Sequence, residues 1–419
     1  MRYLGGTRLK SLLINPLGCS MTRTTREENY RTCGSRILEL PLILAVISLL
    51  AACATTPPGV LLPVSATVAS ASRVDMLVAT TRDRTNGAEL FSGARGPGPR
   101  QVPGNPATDF VTLKAEVINR PQAITWFQRT LRTVPRRQVL VFIHGFNNRF
   151  DDAVFRFAQI VHDSNARVVP VLFTWPSRGS VLAYGYDRES TAYSRNALEN
   201  VLKAFARDPA VGEISILAHS MGNSLALETL RQMAIRDGRV APKIRNVLLA
   251  APDVDVDLAR EAIVDMGPKS NRPSFTLFVS QDDRALAVSR RVWGSEARLG
   301  AINPDQEPYR TQLEQASVRV LDLTKLKAGD LSHHGKFAES PEIVQLIGKR
   351  LTGGQAMTDS RVPLGHHIIQ ATAGAATAVG TAVGLAVSMP VAVIDPHTRD
   401  TLGHHVDGLA RSVSGVVAP

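Results

Sequence analysis

From residue 73 to about 352 the chain alternates between two hydrophobic rhythms. Short apolar, β-branched-rich runs at 74–80, 111–117, 139–143, 168–173, 213–217, 244–250, 275–279 and 318–323 read as strands. Between them, 123–131, 152–162, 191–206, 223–235, 258–264, 285–293 and 343–351 carry apolar residues at helical spacing. The run Val139-Leu140-Val141-Phe142-Ile143 has no polar member, as expected of a strand buried on both faces. Strands alternating with helices predict an α/β protein whose mostly parallel central sheet has helices on both faces. Ligands bind such sheets beyond the carboxyl ends of the strands. Chemistry is therefore expected in the loops that directly follow strands.

One such loop carries a nucleophile pattern. Ile214-Ser215-Ile216-Leu217 runs into Ala218-His219-Ser220-Met221-Gly222 and then into a helix. Strand, tight turn and helix around a serine flanked by small residues form a nucleophile elbow, in which a strained turn lifts the hydroxyl above the sheet. Ala218 stands where that pattern has its first glycine. This signature points to an α/β-hydrolase fold with Ser220 as nucleophile. An elbow supplies one oxyanion donor from the residue after the serine, here the Met221 N–H. A second comes from a loop after an earlier strand. Ile143-His144-Gly145-Phe146 fits, because Gly145 admits close backbone approach, and the Phe146 N–H is the candidate. His144 is read as structural.

The acid and the histidine must follow the serine in chain order. The strand at 275–279 ends in Ser280-Gln281-Asp282-Asp283, so either aspartate reaches the site, and Asp283 is preferred. Asp253, in Ala251-Pro252-Asp253 after the strand at 244–250, is the alternative acid. Ser332-His333-His334-Gly335 lies between the last strand and the last helix, with His334 preferred as base. His162 falls in a helix, and His366, His367, His404 and His405 lie in the tail.

At these residues the chain resembles the bacterial esterase/lipase superfamily of α/β-hydrolases, a group of largely uncharacterised function. The likeness is carried by Ala79-Thr80-Thr81-Arg82, His144-Gly145-Phe146-Asn147, Phe173-Thr174-Trp175-Pro176-Ser177, Ala218 to Asn223, Ala251-Pro252-Asp253-Val254-Asp255, Asp283-Arg284-Ala285-Leu286 and His334-Gly335-Lys336-Phe337. It spans roughly 73–352. The resemblance implies Ser220, Asp283 and His334 as the triad, and it implies no particular substrate.

The N-terminus reads as an address. Arg31 and Arg36 precede an apolar run at 37–52 that ends in Leu50-Ala51-Ala52-Cys53. That anatomy suits a secretory signal, and its end looks like a bacterial lipobox, which implies cleavage before Cys53 and its diacylation. The bland alternative is an uncleaved membrane anchor. Ala54 after the cysteine resembles the outer-membrane sorting pattern, so the expected location is the cell envelope, facing the periplasm. The leader is long, and Met21 is an alternative start. Residues 1–53 thus form the signal segment, 54–72 a Pro-rich tether, 73–352 the hydrolase domain and 353–419 an Ala/Gly-rich tail.

Composition refines this only slightly. The chain has 419 residues, of which 44% are apolar and 20% charged, an ordinary globular balance. The net charge of +11 suits contact with anionic lipid, but the basic residues are scattered, which argues against nucleic-acid binding. Cys19, Cys33 and Cys53 are the three cysteines, so no disulfide and no cysteine-based metal site is expected in the domain. Residues 368–394 contain one charge-free, small-residue stretch long enough for a bilayer span, with a surface-packed tail as the alternative reading. Together these features predict a serine hydrolase of carboxylic esters, lipid esters included, that needs no cofactor or metal. A catalytically silent envelope scaffold, or an amidase, thioesterase or lipase using the same triad, are the alternatives. Oligomeric state is left open.

Overall fold

The computed structural model describes residues 72–82, 110–293, 297–327, 330–353 and 385–393. Its centre is a parallel sheet. Strands β1 (Ser72–Asp75) and β2 (Leu77–Thr80) form one interrupted line, followed by β3 (Phe110–Ile118), β4 (Gln138–Ile143), β5 (Val169–Thr174), β6 (Glu213–His219), β7 (Ile244–Ala250), β8 (Ser274–Val279), β9 (Arg319–Asp322) and β10 (Leu385–Val393). Across the sheet, β3 lies beside β10, β10 beside β1 and β2, and the order continues β2-β5-β4-β6-β7-β8-β9. Among the described residues, each pairing between these strands is parallel.

The helices are α1 (Arg120–Thr133), α2 (Phe150–Ser164), α3 (Tyr184–Arg207), α4 (Gly222–Asp237), α5 (Val256–Asp265), α6 (Arg284–Trp293), α7 (Tyr309–Gln315), α8 (Lys336–Glu339) and α9 (Pro341–Gly353). The period of two along each strand sorts its side chains between two cores. Val139, Val141 and Ile143 enter one core with Leu131, Leu198, Leu227 and Ile263 of α1, α3, α4 and α5. Leu140 and Phe142 enter the other with Phe157 and Ile347 of α2 and α9. Both faces of β4 are thus covered, which is why its sequence is an unbroken apolar run.

The strands and helices expected from the hydrophobic pattern form close to their expected limits, except that the helix expected at 191–206 begins seven residues earlier, at Tyr184. Other features differ as well. The strand expected at 74–80 breaks at Met76, and short helices form at α7 and α8.

The expected division at residue 352 needs correction. Leu385–Val393, assigned to a tail with a possible bilayer span, is an inner strand of the domain sheet. It pairs in parallel with β1 and β2 on one side and β3 on the other. Residues 385–393, whose backbone pairs with three strands of the domain sheet, are not part of a membrane helix. Pro390 lacks an N–H; it pairs with Glu116 of β3 and falls where pairing with the β1–β2 line is interrupted, between Ser388 and Val391. Among the described residues no helix is long and apolar enough to cross a membrane. The signal segment, Cys53, the tether to residue 71, and residues 354–384 and 394–419 lie outside the described residues.

Ala386 pairs with both Arg73 and Val111. Ala386→Pro removes a ladder donor there and is expected to destabilise the fold by roughly 2–3 kcal/mol. Thermal unfolding reads this directly; an unchanged melting temperature would count against β10 as an integral strand.

Candidate active site

Ser220 sits in the turn between β6 and α4 with φ of 52°, in the left-handed region that a serine adopts only under constraint. Such a conformation costs of order 1–3 kcal/mol, so the surroundings must hold it. The Ser220 N–H donates to the Ala250 carbonyl at 3.0 Å, tying the turn to the end of β7. The Asn223 side chain donates to both the Ser220 carbonyl (2.9 Å) and the Ala250 carbonyl (3.0 Å). The Asp253 N–H also reaches the Ser220 carbonyl, at 3.3 Å. Small neighbours make the turn possible. A Cβ on Gly222 would run into the His144 carbonyl oxygen, and Ala218 is fully buried between β4 and β7.

The loop after β4 presses against the serine. A Cβ on Gly145 would come within 2.7 Å of the Ser220 Cβ, so only glycine fits. The loop that leads into Phe146, proposed from sequence as an oxyanion donor together with Met221, therefore lies against Ser220. Met221 precedes the first turn of α4, where backbone N–H groups lack helical partners and the helix dipole favours negative charge. His144 is fully buried and stacks on Trp175 with ring centres 4.7 Å apart. Burial, then the Arg82 charge, hold its pKa well below 6.5, so it is neutral. It is a structural residue, as the sequence suggested.

Two histidine–aspartate pairs stand side by side at the ends of β8 and β9. His334 Nδ1 lies 2.7 Å from Asp283 Oδ2, and His333 Nδ1 lies 2.8 Å from Asp282 Oδ2. They differ in surroundings. The Asp283 side chain is fully buried, and its other oxygen accepts from the Leu286 N–H at the start of α6. Asp282 is half exposed and is held by the buried Lys336 ammonium at 2.7 and 2.9 Å. Burial works against its ionisation, but Lys336, Ser280 and His333 bring its pKa down to about 2. The His334 ring lies beside that of His219, centres 4.8 Å apart, and His219 immediately precedes Ser220. His334 is thus the member of the two pairs next to the Ser220 turn. Burial opposes its protonation, yet the charge and hydrogen bond of Asp283, with Asp253 and Asp330 behind, raise its pKa above 6.5.

Asp253, the alternative acid, is engaged elsewhere. Its carboxylate accepts from Tyr184 (3.0 Å) and Ser289 (2.7 Å) and pairs with Arg298 at 3.4 Å. Tyr184 in turn packs edge-on against Phe146. Among the described residues no cluster of His, Cys, Asp and Glu has metal-binding geometry. Sequence reasoning missed Arg82, Lys336 and Asp187 as buried charges around the site. Arg82 and Lys336 stood inside quoted motifs, and that was the available signal; Asp187, a helical residue in a polar stretch, gave none.

The model of a family described as "Alpha/beta hydrolase of unknown function (DUF900)" matches residues 119–350, more than half of the chain. The chain belongs to this DUF900 family. Both oxyanion candidates, Ser220, Asp283 and His334 fall inside the matched span, whereas Arg82 and β10 fall outside it. An uncharacterized protein of Nostoc sp. (strain PCC 7120 / SAG 25.82 / UTEX 2576), alr1448, is 26% identical over 151 residues, covering 30% of this chain and 39% of that protein. The chain thus matches less than half the length of that relative. Among solved structures, a predicted CIB-like hydrolase from Thermoplasma acidophilum is 16% identical, with a TM-score of 0.33 and coverage of 53% of this chain and 89% of its own. An esterase from Pyrobaculum calidifontis is 15% identical, with a TM-score of 0.30 and coverage of 52% and 77%.

The electrostatics make a signed prediction for this DUF900 protein. In the wild type, His334 is expected to titrate above 6.5. In Asp283→Asn the opposing burial is left with less compensation, and the titration is expected to move to lower pH. NMR titration of the histidine ring protons measures both. Stabilisation by the raised pKa is present below 6.5 and is lost as pH rises through the folded value, so Asp283→Asn should cost more stability at pH 5.5 than at pH 8.5.

Proposed function

We propose that this protein is a serine hydrolase that cleaves carboxylic esters through Ser220, His334 and Asp283. The observation that carries the reading is the conjunction of a serine held at φ of 52° with a buried histidine–carboxylate pair beside the same turn. Asp283 accepts the His334 Nδ1 proton in a hydrogen bond, which leaves Nε2 as the basic atom. Nε2 takes the proton from Ser220 Oγ as that oxygen attacks the ester carbonyl. The Phe146 and Met221 N–H groups hold the resulting oxyanion. Collapse breaks the bond to the alcohol oxygen, which leaves with the proton from His334, and Ser220 remains acylated. Water, deprotonated by His334, then attacks the acyl carbonyl; release of the acid returns the proton to Ser220. No cofactor enters these steps.

A silent scaffold is the weaker reading. A strained serine is less stable than a relaxed turn, a buried charged pair is often no more stable than apolar residues in its place, and a scaffold has no use for either. Lipid esters are within the proposed substrate class, since the Leu50-Ala51-Ala52-Cys53 sequence supports a diacylated, periplasm-facing envelope protein, with the outer membrane favoured. Metabolic labelling with palmitate tests that tether: the label should disappear in Cys53→Ser, and its persistence would refute lipidation at this cysteine.

The activity is tested with p-nitrophenyl esters of graded chain length and a fluorophosphonate probe. Ser220→Ala is expected to lower kcat by roughly 10⁴–10⁶ and to abolish labelling. Asp283→Asn should lose about 10⁴, and Asp253→Asn far less. A wild type that neither hydrolyses any of these esters nor labels at Ser220 would overturn the proposal. Equal losses in both aspartate variants would overturn the choice of acid.

A further inference from the structure

The oxyanion loop is fastened from behind by two buried charges. Arg82, at the end of β2, is almost fully buried. Its guanidinium donates to the Thr174 hydroxyl, to the Ser177 carbonyl at 3.1 Å and to the Asn148 carbonyl at 2.9 Å. One Nη2 also faces His144 Nε2 at 3.1 Å. The Trp175 N–H points at the same ring nitrogen, at 3.1 Å. An arginine N–H and a backbone N–H can only donate, so Nε2 must be the acceptor. The imidazole proton is therefore on Nδ1, which lies 2.9 Å from the Gly145 carbonyl oxygen and donates to it.

This bond fixes more than one atom. The Gly145 carbonyl and the Phe146 N–H belong to one planar trans peptide and point in opposite directions. With the carbonyl drawn to His144, the Phe146 N–H faces away from that ring. On the far side, Asp187 of α3 accepts from the Asn147 N–H (3.2 Å), the Ser177 hydroxyl (2.6 Å) and the Arg178 N–H (3.0 Å). Ser177 links the two charges, since its carbonyl takes Arg82 and its hydroxyl gives to Asp187 while accepting the Asn148 N–H at 3.1 Å. None of these bonds uses the Phe146 N–H. Asn147 itself is left-handed, with φ of 57°, a conformation the two clamps hold.

We propose that Arg82 and Asp187 are positioning residues for the oxyanion hole: Arg82, together with the Trp175 backbone N–H, holds the His144 ring and tautomer that orient the Gly145–Phe146 peptide, and Asp187 locks the following residue. This rests on the serine-hydrolase reading of the site. Neither residue touches the reacting atoms, and each acts through the Phe146 N–H.

The test uses the full chain carrying Arg82→Met or Asp187→Asn, with folding checked by thermal unfolding. Asparagine keeps the shape of Asp187 but has one acceptor oxygen for three donors, so its NH₂ group must face at least one of them. On p-nitrophenyl esters, kcat should fall about 10- to 1000-fold in either variant, the range for loss of one oxyanion donor. KM should stay within about two-fold, and the acid limb of the pH–rate profile, set by His334, should not move. A crystal structure of either variant should show the Gly145–Phe146 peptide turned from its wild-type orientation. Folded variants with wild-type kcat, a loss confined to KM, or an unturned peptide would overturn the proposal. If the wild type proves inactive on esters, the serine-hydrolase reading fails, and the peptide's orientation in the variants still decides this one.

Discussion

Ser220 stands at φ of 52° at the carboxyl end of β6, and most of the site exists to keep it there. A turn so strained is stable only where its backbone groups are all satisfied by rigid neighbours. The Ala250 carbonyl, the Asn223 side chain and the Asp253 N–H supply those bonds, and they come from β7, α4 and the loop after β7. Two close approaches by backbone follow from the same constraint. Gly145 must lack a side chain because Ser220 occupies its place, and Gly222 must lack one because His144 does. The parallel sheet is what brings these loops together, since β4, β6, β7 and β8 are neighbours and all end on one side.

Much of this was legible from the chain. Two-faced burial made 139–143 an apolar run, and the strand–serine–helix order marked the elbow without any tertiary knowledge. What the sequence left open were choices among adjacent residues of the same type. Asp282 and Asp283 are neighbours, as are His333 and His334, and spacing cannot separate them. Their surroundings differ: Lys336 and His333 hold Asp282, while the buried Asp283 carboxylate binds His334 and the Leu286 N–H. Asp253 was a fair rival by strand position, but Tyr184, Ser289 and Arg298, distant in sequence, occupy it.

The strand at Leu385–Val393 was the largest miss, and the cause is physical. Its partners β1, β2 and β3 lie nearly 270 or more residues earlier, so nothing local announces the pairing. The charge-free, small-residue stretch that contains it reads as a possible bilayer span or a surface-packed tail. Pro390 is tolerated because pairing with the β1–β2 line is interrupted there. The buried charges were hidden for a similar reason. Arg82 looks like a surface arginine until the loops at Thr174, Ser177 and Asn148 close over it.

The central claim is that Ser220 is a nucleophile facing a two-donor oxyanion hole. A crystal structure of the fluorophosphonate-treated protein tests it most directly. The account predicts phosphorus bonded to Ser220 Oγ, with the phosphoryl oxygen about 3 Å from both the Phe146 and Met221 nitrogens. An unmodified Ser220, or an adduct whose phosphoryl oxygen points away from both amides, would contradict it.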